Sequence, residues 1–174
     1  MNEVSSTRTS ASNKNTAAIA LGSNLGDREA NLRTAIDHMR ALGEVAAVSS
    51  FHNTEPVGYL DQPPFLNAAI LLKTELPSVD LMHALLAIEK TMGRDRATSI
   101  AKGPRLIDLD LLLYGDLILD TQELVLPHPA MHERAFVLAP LAEIAAEMRH
   151  PLKHRTVSNL LDDQEESAQP NRVR

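Results

Sequence analysis

Two aspartates one position apart interrupt an apolar segment, residues 102–116, which reads KGPRLIDLDLLLYGD. Side chains of a strand alternate between its faces, so Asp108 and Asp110 are predicted to share one face, roughly 7 Å apart at Cα, with alternate apolar residues up to Leu113 on the other. Two such carboxylates repel each other unless a cation lies between them, and they can hold divalent cations that also bind phosphate oxygens. The pattern indicates a metal-dependent phosphate site, although two acids can also keep a strand face wet or protect an edge strand.

Arginines stand close to these aspartates in the sequence. Arg105 lies three residues before Asp108, and Arg94 and Arg96 belong to the Gly-Arg-Asp-Arg run that opens the preceding loop. An arginine binds phosphate through a planar fork of donors, while magnesium held by aspartate binds the same phosphate from the other side. A polyphosphate substrate would account for both sets of residues.

Two common nucleotide motifs are absent from the sequence. The turn at residues 22–26, Gly-Ser-Asn-Leu-Gly, lacks the Gly-Lys-Ser/Thr ending of a Walker loop. The Gly-Arg-Asp-Arg run is not a dinucleotide fingerprint either. A nucleotide would therefore be held mainly by side chains and metal ions.

Composition limits the classes of function that remain. The 174 residues suit one domain, and the net charge of −6, from 17 basic and 23 acidic groups, gives no general attraction for nucleic acid or an anionic membrane. There is no cysteine and no apolar run near the length of a membrane span. We expect small-molecule substrates, no nucleic-acid or membrane partner, and a cytoplasmic monomer, with a disordered leader at 1–16, a single domain at 17–161 and a flexible tail at 162–174.

The elements that position these residues can be read from hydrophobic spacing and turn signals. Strands are predicted at 17–21, 45–51, 65–73 and 106–114, with a hairpin or edge strand at 116–126. The loop at 52–64 is too long for a hairpin turn, which indicates a function. Helices are predicted from the N-cap Asp27 to Gly43, from the cap Ser78 to Gly93, at 132–146, and for one turn at 157–161. The order βαββαβ indicates an α+β, ferredoxin-like core, a mainly antiparallel sheet with helices packed on one face, followed by a C-terminal helical extension.

With these motifs in view, the chain resembles the 6-hydroxymethyl-7,8-dihydropterin pyrophosphokinases of folate biosynthesis. Residues 103–115 match that family's Pro-Arg, two residues, Asp-x-Asp signature, and segments 20–27, 65–69 and 127–136 follow its other motifs in order. The resemblance runs from about residue 18 to residue 150. It implies transfer of the pyrophosphoryl group of ATP, as co-substrate, to the pterin hydroxymethyl group, leaving AMP, with two Mg²⁺ ions.

The resemblance also implies roles for individual residues. Asp108 and Asp110 correspond to the metal ligands, and Arg94 and Arg105 to the catalytic residues that steady the phosphates and the developing charge. The implied ATP contacts are Arg94, Arg96, Arg105, Leu111, His128 and Arg134. The implied pterin contacts are Thr54, Glu55, Val57, Phe65, Asn67 and Phe136.

Several of these residues have a plainer interpretation. A flat polar heterocycle needs aromatic faces and an amide, but Phe65 and Phe136 can equally be core residues. His128 stands between two prolines and can be a turn residue. Glu89 can be a solvated helix charge or a carboxylate near the metals, and Lys102 stands where many relatives carry an aromatic residue.

Two other functions compete with the pyrophosphokinase. Asp-x-Asp also chelates the metal of nucleotide sugars, so a metal-dependent glycosyl or nucleotidyl transferase is the alternative. The other possibility is a ferredoxin-like module that binds RNA. The net negative charge of the chain and its few aromatic residues argue against RNA binding. Pterin-dependent release of AMP from ATP would separate these possibilities.

Overall fold

The structure is a computed structural model that describes residues 14–94 and 102–169. Its strands are β1 (Asn15–Ser23), β2 (Glu44–Val48), β3 (His52–Thr54), β4 (Phe65–Thr74), β5 (Asp108–Tyr114), β6 (Leu119–Asp120), β7 (Val125–Leu126), β8 (Arg149–His150) and β9 (Arg155–Thr156). Its helices are α1 (Arg28–Met39), α2 (Ser78–Thr91), α3 (Ala135–Ala145) and α4 (Val157–Ala168), with a 3-10 turn at Met131–Glu133.

The main sheet confirms the ferredoxin-like prediction. Its strand order is β2-β4-β1-β5, with the short β3 also paired to β4, and each of these pairs is antiparallel. The predicted βαββαβ core is therefore β1-α1-β2-β4-α2-β5. Strands β6–β7 and β8–β9 form two separate small hairpins.

Helices cover both faces of this sheet. The core helices α1 and α2 pack on one face, as predicted, and α3 and α4 of the C-terminal extension cover the other. The first core cluster includes Ile19, Leu21, Leu32, Ile36, Leu81 and Leu85. The second includes Ala18, Ala69, Leu112, Leu138, Leu141, Val157 and Leu160. Burying a leucine or isoleucine contributes about 1.5–3 kcal/mol, so both faces hold the sheet in place.

The register of β5 places the two aspartates. Asp108 pairs with Gly22 and Asp110 with Ala20 of β1. The register then shifts between Ala18 and Ile19, which is a β-bulge. Leu112 and Leu113 consequently both join the second core cluster, so the prediction that Leu113 lies on the other face, with Leu109, was wrong.

The predicted chain ends also need correction. Asn15 and Thr16, assigned to the leader, pair with Thr74 and Lys73 in the sheet. Helix α4 continues to Ala168, so residues 162–168 of the expected flexible tail are helical. Residues 1–13 and 170–174 lie outside the described residues, and the extent of the domain, 17–161, stays a prediction.

The N-terminal cap predicted for α1 is confirmed, whereas the cap predicted for α2 is not. Asp27 caps α1, because its carboxylate accepts a hydrogen bond of 3.0 Å from the Ala30 N–H. The cap predicted at Ser78 was wrong, since Ser78 is the first residue of α2 and Pro77 precedes it without a side-chain cap. Proline fixes a φ compatible with helix entry, which explains how α2 begins without a polar cap.

Candidate active site

A cleft opens on the sheet face that α3 covers, above β1, β4 and β5. All six residues predicted to contact a pterin line it, and they are Thr54, Glu55, Val57, Phe65, Asn67 and Phe136. Four of the predicted phosphate and metal residues also line it, and these are Arg105, Asp108, Asp110 and Arg134. The two predicted groups therefore meet in one cleft.

Each aromatic ring of the cleft has an arginine over it. The Arg105 guanidinium lies 5.0 Å from the centroid of the Phe65 ring, and that of Arg134 lies 5.9 Å from the centroid of the Phe136 ring. Phe65 comes from β4 and Phe136 from α3, so a strand wall and a helix wall of the cleft each supply one ring. A planar ligand between these walls would have aromatic surfaces and cations beside it.

Asn67 provides an amide on the cleft floor. It is buried, and its Nδ2 donates a hydrogen bond to the Thr54 hydroxyl. Gly22 lies against it, because a Cβ at that position would be 2.9 Å from Asn67 Oδ1. The glycine thus leaves the room that the amide occupies.

Thr54 reaches this amide because β3 pairs with β4, with Thr54 opposite Phe65. The sequence predicted only a loop at 52–64. A polar three-residue strand, His-Asn-Thr, has no hydrophobic alternation to reveal it.

The acidic side of the cleft holds a compact group of charges. Arg94 Nη1 lies 2.7 Å from Asp108 Oδ1, 3.0 Å from Glu89 Oε1 and 3.2 Å from the Ile107 carbonyl oxygen. Arg105 Nε lies 3.6 Å from Asp108 Oδ2. The two predicted catalytic arginines therefore approach the two oxygens of one aspartate.

Glu89 is a buried member of this group. It is 1% exposed, and its Oε1 also accepts a hydrogen bond of 2.8 Å from the Leu109 N–H. Since Glu89 follows Leu81, Leu85 and Ile88 on the buried side of α2, it is not a solvated helix charge. The interpretation as a carboxylate beside the predicted metal residues fits its position.

His128 belongs to a turn, and charged residues of the site also affect its ring. Its backbone N–H donates to the Leu112 carbonyl, and its Nδ1 accepts a hydrogen bond of 3.2 Å from the Ala130 N–H. Burial is the main cause that lowers the pKa of His128, Arg134 lowers it further, and Asp108 opposes them. A neutral ring with Nδ1 as acceptor carries its proton on Nε2, which can then donate to an oxygen.

Of the other predicted ATP residues, Arg94, His128 and Leu111 do not line the cleft, although Arg94 binds Asp108 at its edge. Leu111 is buried in the first core cluster, on the sheet face of α1 and α2. Arg96 lies outside the described residues, as does most of the loop between Arg94 and Lys102.

The aspartate pair suits magnesium. Among residues 14–94 and 102–169, no group of three or more histidine, cysteine, aspartate or glutamate side chains is arranged to hold a metal. Magnesium is commonly bound by one or two carboxylates, with waters and substrate phosphates completing its shell. Asp108 and Asp110 offer this donor set on one strand face.

Comparison with known proteins identifies the family. The model of the 7,8-dihydro-6-hydroxymethylpterin-pyrophosphokinase (HPPK) family matches residues 18–146. The chain belongs to the HPPK family. The Bacillus subtilis 2-amino-4-hydroxy-6-hydroxymethyldihydropteridine pyrophosphokinase is 48% identical over 136 residues, covering 77% of this chain and 80% of that protein. The Pseudomonas aeruginosa protein of the same name is 44% identical over 135 residues, covering 76% of this chain and 82% of its own.

Solved structures agree with this family assignment at the level of the fold. A crystal structure of HPPK-DHPS in complex with substrates superposes with a TM-score of 0.70 at 15% identity. The match covers 88% of this chain and 44% of that one. In the described part of this HPPK-family chain, no helix has both the length and the apolar character needed to cross a bilayer.

Proposed function

We propose that the protein transfers the pyrophosphoryl group of ATP to the hydroxymethyl group of 6-hydroxymethyl-7,8-dihydropterin, giving AMP and the pterin diphosphate for folate biosynthesis. One observation carries the proposal. In a chain of the HPPK family, a single cleft combines two phenylalanine rings and a buried amide with an aspartate pair and arginines.

The pterin half of the cleft would bind the flat ring. Phe65 and Phe136 offer apolar faces from the strand wall and the helix wall, and the Asn67 amide offers an acceptor and a donor to the ring edge. Thr54 fixes the Asn67 side chain through its hydroxyl. Glu55 and Val57, in the segment after β3, close the same half of the cleft.

The acidic half would bind the triphosphate. We propose that Asp108 and Asp110 hold two Mg²⁺ ions, which supply charge neutralisation to the phosphates when bound. Arg94 and Arg105 lie at Asp108, where their guanidinium groups would steady the phosphates and the charge that develops during transfer. Their positions are compatible with in-line transfer that relies on orientation and electrostatics rather than on a covalent enzyme intermediate.

The remaining nucleotide contacts are proposed from the resemblance and from charge. Arg134 lines the cleft, and the neutral His128 would present an Nε2 donor to a phosphate. Arg96 and Leu111 complete the proposed set. The Leu111 side chain is buried in the first core cluster, so any contact of this residue with nucleotide would be made by its backbone.

A direct assay tests the proposed activity. The full chain is mixed with Mg²⁺, ATP and hydroxymethyldihydropterin, and AMP and the pterin diphosphate are quantified by chromatography. The proposal expects AMP only when the pterin is present and only before EDTA is added. AMP release that ignores the pterin, or turnover of a nucleotide sugar instead, would contradict it.

The assembly and location of the protein are also proposals. The described cleft is built from one chain, which is compatible with a monomer, and ATP is a cytoplasmic substrate. Analytical ultracentrifugation and cell fractionation test the two statements.

A further inference from the structure

Asn24 holds the backbone of the candidate catalytic Arg105. It stands in the turn after β1 and is 2% exposed. Its backbone N–H donates to the Arg105 carbonyl over 3.1 Å, and its Oδ1 accepts from the Arg105 N–H over 2.8 Å. Both polar backbone groups of Arg105 are therefore bonded to one residue that is 81 positions away in the chain.

The other end of the same amide faces the loop of residues 55–64. Asn24 Nδ2 donates to Gln62 Oε1 over 2.9 Å and to the Pro63 carbonyl over 3.1 Å. Gln62 Nε2 in turn donates to the Lys102 carbonyl over 2.9 Å. The Asn24 side chain thus uses both N–H donors of its amide and its one oxygen acceptor. These three hydrogen bonds form only when residues 55–64 and residues 102–105 are both in place.

The two linked segments both line the cleft. Residues 55–64 contribute Glu55 and Val57 to the lining, while residues 102–105 contribute Lys102 and Arg105, and Arg105 Nε lies 3.6 Å from Asp108 Oδ2. Lys102 has a φ of 57°, an uncommon conformation for a residue with a side chain. Its Cδ also lies 3.0 Å from the place that a Cβ on Gly58 would occupy, so the segments are in close contact.

We propose that Asn24 and Gln62 are positioning residues, which fix residues 102–105 against the pterin-side loop so that Arg105 is held both over Phe65 and at Asp108. The inference rests on the proposed function, because it assigns Arg105 a role in pyrophosphoryl transfer. Neither residue needs to touch a substrate. A displacement of reacting groups by about 1 Å can cost on the order of a hundredfold in rate, so a buried amide that sets a backbone position can control turnover.

The test compares Asn24 with Asn31, a residue of α1 whose side chain bonds to the same turn. Asn24→Ala removes the link to residues 102–105. Asn31→Ala is the matched control, because Asn31 Nδ2 donates to Ser23 Oγ over 3.1 Å and to the Leu25 carbonyl over 2.8 Å, both within this region. Both variants lose local hydrogen bonds and some thermal stability.

The kinetic readout separates positioning from general stability. We expect the kcat of Asn24→Ala to fall about 10- to 100-fold. The KM for ATP and the KM for the pterin should each rise by a smaller factor. In Asn31→Ala we expect kcat to stay within about twofold of wild type, because this substitution does not remove the bonds that position Arg105. Equal losses of kcat in the two variants, measured well below their melting temperatures, would overturn the inference.

Gln62→Ala carries the test if Asn24→Ala does not fold, because Gln62 is only half-buried. It should lower kcat in the same direction, and an unchanged kcat in Gln62→Ala would contradict the proposal. If Asn24→Ala does fold, the double variant should cost no more than Asn24→Ala alone, since both residues act through one chain of contacts. Additive losses would mean that Gln62 and Asn24 act separately, which contradicts the proposal.

A second readout does not depend on activity. Amide hydrogen exchange at Arg105 should accelerate in Asn24→Ala and stay unchanged in Asn31→Ala, because Asn24 Oδ1 is the acceptor for that N–H. Unchanged protection at Arg105 in Asn24→Ala would refute the positioning role. If the wild-type protein shows no pyrophosphoryl transfer, the proposed function fails, while this exchange measurement still decides whether Asn24 fixes Arg105.

Discussion

Nη1 of Arg94 lies 2.7 Å from Oδ1 of Asp108 and binds the buried Glu89 with the same nitrogen. The Arg94 side chain is 9% exposed and that of Glu89 is 2% exposed. One cation is thus shared by a structural acid from α2 and a proposed metal ligand from β5. Arg94 can therefore balance the charge of Asp108 before a nucleotide arrives, while Glu89 keeps the arginine in place.

Glu89→Ala should strongly destabilise the fold. It leaves the Leu109 N–H without its acceptor and removes one of two acids from a buried arginine, and breaking a buried pair costs about 3–5 kcal/mol. Glu29→Ala is the matched control, because the Glu29–Arg33 pair is 60% and 66% exposed, so its loss costs about 0.5 kcal/mol or less. Urea unfolding measures both changes, and similar free energies of unfolding for the two variants would contradict the structural role of Glu89.

Asp110→Asn should abolish most turnover and leave the fold intact. The amide keeps the size of the side chain but removes the negative charge that magnesium requires, so we expect kcat to fall at least about a hundredfold. Asp120→Asn, on the exposed β6, controls for the substitution itself and should retain activity. Near-normal turnover in Asp110→Asn, over a titration of Mg²⁺, would remove Asp110 from the metal site.

Much of this arrangement was predictable, and the reasons are specific. A strand period of two places Asp108 and Asp110 on one face, and the structure confirms their shared cleft. The alternation of faces is broken before Leu113 by a bulge in the pairing of β5 with β1. That pairing depends on both strands, so it cannot be read from the sequence of β5 alone. The burial of Glu89 follows the helical spacing of its apolar neighbours, and that spacing was the available signal.

Contacts between distant segments were not predictable. The bonds from Asn24 to Arg105 and Gln62 join three loops, and the sequence at residues 22–26 indicates only a turn. The cap at Ser78 was mistaken because serine is a good cap in general, whereas the preceding proline already supplies a suitable φ.

Phe136→Ala should weaken pterin binding far more than binding of an ATP analogue. Removing a stacked ring costs about 1.5–3 kcal/mol, which corresponds to roughly 10- to 100-fold in Kd, while the nucleotide Kd should change by less than about threefold. Isothermal titration calorimetry measures both constants on the folded protein. Equal losses for both ligands would contradict a stacking role.

Phe51→Ala is the matched control for that variant. Phe51 also lies under an arginine, since the Arg33 guanidinium is 5.2 Å from its ring centroid, but it packs against the first core cluster, away from the cleft. Its removal should lower thermal stability without a selective loss of pterin affinity. A selective loss of pterin affinity in Phe51→Ala would show that a phenylalanine–arginine pair outside the cleft also affects the ligand.

Stability should fall as the pH drops below about 6.5, and His150 should be one cause. Burial is the main cause that lowers the pKa of His150 from its ordinary value, and His132 and Lys153 lower it further. Its Nδ1 accepts hydrogen bonds of 3.3 Å and 3.0 Å from the N–H groups of Leu152 and Lys153, and a proton on Nδ1 would break both. The unfolded chain therefore takes up a proton at a higher pH than the folded chain, so the stabilising contribution is complete above the unfolded pKa and is lost as the pH falls below it.

His150→Asn should flatten this acid-side decline, because an amide oxygen can accept from the same backbone donors without titrating. The slope of unfolding free energy against pH changes by at most about 1.4 kcal/mol per pH unit for one proton, measured by urea unfolding between pH 7 and pH 5. Part of the slope should persist, since the pKa of His128 is lowered as well, and adding His128→Asn should remove a further part. An unchanged slope in His150→Asn would mean that the buried ring does not take up its proton on unfolding.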